Sequence, residues 1–162
     1  MENLEKGGVD LAFFKFCYVD ITLQTDVDRL FSAYEKVMKS LQERYPQRDF
    51  IHFTVPLRAI DNRLQSRFKK ILGYPGTGLL DNIQRNRFNE KMRRQYKEEG
   101  TLFDLAEAEA IRSGGSPSVF HYGGKEYACL AREYTEDGGH LNEEAGKIIA
   151  EKLLIYLAGK MA

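Results

Sequence analysis

Side chains able to move protons or attack a carbonyl are sparse in this chain, which holds three histidines and two cysteines in 162 residues. They are most suggestive in "YTEDGGHLNEEAG", residues 134–146, where two glycines separate Asp137 from His140. A histidine makes a good general base when a carboxylate holds its ring in one tautomer and stabilises the imidazolium. An aspartate three residues earlier can do this if both lie on a turn ahead of a helix. The intervening glycines would let the backbone curl tightly. As a bare pattern, the same stretch also suits a Gly-rich turn with a capping aspartate. Asn142 is a candidate cap for the following helix, and Glu143 and Glu144 suit its positive N-terminal end.

Other candidates carry less chemistry. His52 sits inside the apolar run "FIHFTVPL" and reads as a packed histidine. Cys17 and Cys129 belong to no CxxC pair and read as reduced, buried thiols. Cys17, within "FFKFCYV", is therefore expected in the core rather than as a nucleophile. A metal hydrolase built on Asp20, His121, Asp137 and His140 has no HxH or HExxH spacing behind it. "GYPGTG", Gly73 to Gly78, matches neither GxGxxG nor GxxxxGK[ST] and reads as a loop. No cofactor or metal is expected.

The elements that must position these residues alternate along the chain. "LAFFKFCYV", Leu11 to Val19, reads as a strand buried on both faces, as in a parallel sheet covered by helices. Val27, Leu30, Phe31, Tyr34, Val37, Met38 and Leu41 step by three and four, predicting a helix capped by Thr25 and stopped by Pro46. "FIHFTVPL", Phe50 to Leu57, is the next strand, closed by Pro56 and completing a βαβ unit. "LLDNIQRNRFNEKMRRQY" predicts a basic helix with Ile83, Phe88, Met92 and Tyr96 inward and its arginines on a solvated face. "TLFDLAEAEA" begins as a strand and turns helical, "RSGGSPS" is a loop, and "HYGGKEYACLAREYT" reads as irregular or hairpin structure. The last helix presents Ala145, Ile148, Ile149, Leu153, Tyr156 and Leu157 on one face. With no repeat and no long linker, residues 1–162 read as one α/β domain.

"YTEDGGHLNEEAG" before an amphipathic C-terminal helix resembles the last motif block of the SGNH (GDSL-type) hydrolases. More of the chain fits. "DLAFFKFCYVDITLQTDVDRLFSAYEKVMKSL" resembles the family's middle strand and helix, and "RDFIHFTVPL" the next strand. "NIQRNRFNEKMRRQY" resembles a helix with an N-x-x-R-x-x-x-N run, and "LFDLAEAEA" the strand before a lid-like loop. The similarity covers most of residues 9 to 158. It implies a three-layer α/β/α sandwich with a parallel sheet lacking its first strand, and a site at the carboxyl ends of the strands. It implies a Ser-His-Asp ester hydrolase of esterase or acetylesterase type, with Asp137 and His140 as triad acid and base. Asp20 and Thr54 become candidate site-lining residues. A small-molecule or carbohydrate ester is the implied substrate.

The sequence departs from the family where the nucleophile belongs. None of Ser32, Ser40, Ser66, Ser113, Ser116 or Ser118 follows a strand in a Gly-Asp turn. The middle strand ends "CYVD" rather than G-x-N-D, so only Asp20 has a counterpart, and a carboxylate does not donate to an oxyanion. Two expectations follow: an N-terminally truncated hydrolase, or an inactive domain of the same fold acting in binding or assembly, with a sheet edge covered in a homodimer.

Composition narrows the partners. Hydrophobic residues make up 43% of the chain, and 24 basic side chains balance 24 acidic ones. Neither nucleic acid nor a membrane surface, both of which select for basic excess, is expected as a partner. No apolar run approaches the roughly 20 residues of a membrane span. The start carries no secretory leader, which makes the cytoplasm the default and leaves secretion of a longer form open.

Overall fold

The computed structural model describes residues 10–60 and 77–161. Three strands, β1 (Leu11–Phe14), β2 (Asp49–Phe53) and β3 (Leu102–Phe103), form a parallel sheet in the order β1-β2-β3. Phe14 aligns with His52, and His52 in turn with Leu102. Helix α1 (Val27–Arg44) connects β1 to β2, and α2 (Thr77–Tyr96) precedes β3. The short helix α3 (Leu105–Ala110) leads to an antiparallel hairpin of β4 (Val119–Tyr122) and β5 (Lys125–Ala128). Helix α4 (Glu143–Met161) ends the described chain.

Alternation along β2 sends its side chains in two directions. Phe50 packs with Phe31, Tyr34 and Met38 of α1 and with Phe88, Met92 and Tyr96 of α2. Ile51 and Phe53 pack with Phe103, Leu105, Ala108 and Ile149, joined by Leu153, Tyr156 and Leu157. The expected inward faces of α1, α2 and α4 are recovered except for Val37, which is 56% exposed, and the fold is α/β around a parallel sheet.

Several expectations need correction. The first strand ends at Phe14 rather than Val19 and is not buried on both faces: Phe13 is 56% exposed and Phe14 53%. Among the described residues β1 is an edge strand, so its outer side chains find a neighbour on one side only. Cys17, past its end, is half-buried rather than in the core, whereas Cys129 is buried. Helix α1 is capped by Asp26, whose side chain accepts from Arg29 N–H, while Thr25 Oγ1 accepts from Thr22 N–H. Helix α2 begins at Thr77, so the tail of the supposed Gly73–Gly78 loop is helical; the rest of it and Ser66 lie outside the described residues.

The second strand also stops early, at Phe53, although residues 54–57 stay buried. Their backbone is held by side chains. Asn89 Oδ1 accepts from Val55 N–H at 2.7 Å, and its Nδ2 donates to Val55 O at 2.9 Å. Asn82 holds both peptide groups of Arg58 in the same way, at 3.0 and 2.6 Å. Glu109 Oε2 accepts from Leu57 N–H at 3.0 Å. Pro56 needs no acceptor, having no N–H. Asn82, Arg85 and Asn89 are almost completely buried, so α2 turns a polar face inward where a wholly solvated arginine face was expected. Arg93 is likewise engaged, donating from Nε and Nη2 to Asp104. Burial pushes the Asp104 carboxyl upward, but the Arg93 hydrogen bond and charge, with Glu107 N–H and Thr54 Oγ1, outweigh it and hold it low.

Asn89→Leu should lower the unfolding free energy by about 2–4 kcal/mol in denaturant titration, because it strands one buried donor and one buried acceptor of Val55. An exposed helix position such as Arg94→Leu should change it by less than about 0.5 kcal/mol.

His52 is packed, as expected, with no exposure. Its Nδ1 pairs with Tyr34 Oη at 2.7 Å and its ring stacks on Tyr96 at 3.6 Å. Burial lowers its pKa from 6.5 to about 4. The unfolded chain therefore takes up this proton first, and the contribution of His52 to stability falls as pH drops from 6.5 toward 4. Burial of Glu109 acts oppositely, raising its pKa from 4.5 to about 7, so its contribution falls as pH rises across that window. The difference in stability between the native chain and His52→Gln cancels the Glu109 effect. That difference should shrink as pH is lowered from 7 to 4.5, whereas a constant difference would contradict the assignment.

Candidate active site

The turn between the second 3₁₀ turn (Arg132–Tyr134) and α4 is built by local polar bonds. Asp137 Oδ1 accepts from the N–H groups of Gly139 and His140, each at 2.8 Å. Thr135 Oγ1 accepts from Gly138 N–H at 2.9 Å. Gly138 adopts φ +83°, a left-handed conformation that glycine takes without a Cβ clash. Asn142 closes the turn as anticipated: its Oδ1 accepts from Ala145 N–H and its Nδ2 donates to Glu133 O, both at 2.9 Å. Tertiary contacts fasten the turn from outside, with Gly138 O accepting from Ala59 N–H at 3.0 Å and Arg58 Nε at 3.4 Å.

Within this frame His140 Nδ1 lies 2.6 Å from Asp137 Oδ2. Hydrogen bonding from the His140 ring, then from the two N–H groups, holds the Asp137 carboxyl well below its usual range. An ionised carboxylate only accepts, so Nδ1 carries a proton, and in the neutral ring that tautomer places the lone pair on Nε2. The pair is open to solvent, with side-chain exposures of 74% for His140 and 57% for Asp137. A shallow cavity of about 330 Å³ beside it is lined by Glu136, Asp137, His140, Leu141, Asn142 and Glu143.

The hydroxyl facing Nε2 among the described residues is that of Tyr18, at 3.5 Å. Tyr18 belongs to the first 3₁₀ turn (Tyr18–Asp20), just beyond the carboxyl end of β1. Its ring has Arg58 on it at 5.3 Å and Arg85 at 5.8 Å, and its carbonyl accepts from Arg85 Nε at 2.8 Å. Gly139 presses on the same ring: a Cβ there would meet Tyr18 Cζ and Oη at 3.0 Å.

The remaining predicted site residues stand apart from the pair's hydrogen bonds. Asp20 is exposed and accepts from Cys17 N–H at 2.6 Å, anchoring its own turn. Thr54 is fully buried; its Oγ1 donates to Asp104 at 3.1 Å and accepts from Ala106 N–H at 2.8 Å, clamping the end of β2 to α3. His121 pairs with Glu126 at 3.4 Å across the hairpin. Among the described residues no three His, Cys, Asp or Glu side chains gather as metal ligands. Ser113 bonds Glu133, and Ser118 is buried against Cys129. Tyr18, Arg58 and Arg85 were missed from sequence. Only Arg85 left a signal, as the buried member of the Asn82-x-x-Arg85-x-x-x-Asn89 run.

No family model and no curated protein matches the chain. Its structure is similar to that of a protein from Streptococcus pneumonia provisionally described as a platelet activating factor, with a TM-score of 0.60 at 17% sequence identity. The match covers 93% of this chain and spans 61% of that one. At this identity the likeness speaks for a shared α/β fold. No helix among the described residues is long and apolar enough to cross a membrane.

Gly138→Ala should destabilise the chain by about 1–2 kcal/mol through left-handed strain, whatever occupies position 18. Gly139→Ala should also destabilise it, but by collision with Tyr18, so adding Tyr18→Ala should relieve that variant and leave Gly138→Ala unrelieved. Thermal or denaturant unfolding of the four variants reads both outcomes.

Proposed function

We propose that this chain carries the acid and base of an SGNH-like ester hydrolase of esterase type, within a three-layer α/β/α sandwich. One observation carries the reading: the 2.6 Å bond from His140 Nδ1 to an Asp137 carboxylate that two backbone N–H groups hold in place. Asp137 fixes the tautomer and stabilises the imidazolium as it forms. Nε2 accepts a proton from an attacking hydroxyl while that oxygen adds to the ester carbonyl, and His140 then returns the proton to the leaving alcohol. Water completes the turnover by the same base catalysis.

The rival reading is a catalytically silent domain that acts by binding. It is favoured by the oxygen facing Nε2, which comes from tyrosine among the described residues rather than serine. Hydrolysis of p-nitrophenyl acetate separates the two. On the ester-hydrolase reading the native chain exceeds background, and His140→Ala falls by about 10²-fold or more, the usual effect of removing a general base. Asp137→Asn falls as well, since it loses the charge opposite the imidazolium. Equal rates in the native chain and His140→Ala sink the hydrolase reading for this chain.

A further inference from the structure

Two guanidinium groups share the Tyr18 ring beside His140. Arg85 is 2% exposed and fully engaged: Nε on Tyr18 O at 2.8 Å, Nη1 on Asn82 Oδ1 at 2.7 Å, and Nη2 3.8 Å from Asp81. Its role is to hold Tyr18. Arg58 differs. It is half-buried and its Nε donates weakly to Gly138 O at 3.4 Å. No carboxylate among the described residues pairs with its terminal nitrogens, and Nη2 lies 4.0 Å from where a Gly138 Cβ would stand. The two cations are close enough for Arg58 to disfavour the charged form of Arg85. Asp81 offsets one positive charge and leaves the other beside the turn that carries His140.

A guanidinium presents a planar fork of donors that matches a carboxylate or a phosphate. Asn82 holds the backbone N–H and C=O of Arg58, and the guanidinium itself lies over the Tyr18 ring. The hydroxyl of the ring under that fork stands 3.5 Å from Nε2. We infer that Arg58, with Tyr18, forms an oxyanion-recognising subsite, and that the ester acted on at His140 carries a carboxylate or phosphate group. The inference rests on the hydrolytic reading of Asp137 and His140 and narrows its substrate to anionic esters. A neutral ester would offer the Arg58 charge no partner, and no carboxylate among the described residues pairs with it. Glu136 and Glu143 line the cavity beside the pair, whose lining does not include Arg58, and their charges disfavour an anion in that cavity.

The test is an NMR titration of the full chain with sodium acetate and, separately, inorganic phosphate, at ionic strength held constant with sodium chloride. Saturable shifts are expected at Tyr18, Arg58, Gly138, Gly139 and the His140 ring. Saturation by only one of the two anions identifies the substrate group. Arg58→Gln should weaken binding roughly tenfold or more, as expected for losing charge-assisted hydrogen bonds, while Arg58→Lys retains part of it. Shifts that do not saturate overturn the subsite. So do shifts centred elsewhere, a readout that holds even if Arg58→Gln does not fold, and affinity unchanged in a folded Arg58→Gln. Because binding is read without turnover, saturable binding with hydrolysis of neither p-nitrophenyl acetate nor its carboxylate-bearing counterpart, mono-p-nitrophenyl succinate, sinks the hydrolase and keeps the anion site. Hydrolysis without binding does the reverse.

Discussion

Three asparagines on one helix make the backbone hydrogen bonds that a neighbouring strand would make. Asn82, Asn86 and Asn89 of α2 each present an amide to one residue's peptide groups, those of Arg58, Ala128 and Val55 respectively. A primary amide offers one acceptor and a pair of donors, so it can satisfy both backbone groups of a single residue as a neighbouring strand would. Buried peptide groups left unpaired would cost about 1–3 kcal/mol each, which makes these contacts obligatory once residues 54–58 leave the sheet. The candidate site is fastened to that segment from outside. Arg58 and Ala59 reach across to Gly138 O, and Asn82 also accepts from Arg85, which holds Tyr18.

The site therefore has an inner and an outer part with different physics. The Asp137–His140 pair is exposed and organised by its own turn, where two backbone N–H groups and one ring nitrogen converge on a single carboxylate. Behind it, Tyr18, Arg58 and Arg85 are brought together by buried polar contacts that span the sheet and α2. The inner part brings two guanidinium groups onto one tyrosine ring; the outer part brings a carboxylate and an imidazole into contact. Solvent screening weakens charge effects at the outer pair, and short bonds, rather than low dielectric, hold its geometry.

Reading the chain in advance recovered what local periodicity and turn chemistry dictate. The stripes of α1 and α4, the Asn142 cap, the β4–β5 hairpin and the packed His52 all follow from residues near one another in sequence. The strand ends did not. "LAFFKFCYV" and "FIHFTVPL" remain apolar past Phe14 and Phe53, and nothing in their composition says where the ladder gives way to side-chain partners. Composition equally hid the burial of Arg85, because an arginine's solvated or buried state depends on what its guanidinium meets. Asp20 and Thr54, singled out through resemblance, serve to anchor a turn and to clamp β2 to α3.

What the sequence by itself determined is the contact between Asp137 and His140: they are three residues apart on a glycine turn, and so short a loop leaves few ways for the carboxylate to avoid the ring. What only the tertiary structure decided is the company that pair keeps. Tyr18 follows β1, Arg58 follows β2, and Arg85 lies within α2. Their meeting at His140 depends on the parallel pairing of the strands and on buried amides that hold the chain beyond them. Apart from the Asn82-x-x-Arg85-x-x-x-Asn89 run, such long-range bonds have no period and no spacing that a pattern along the sequence could record.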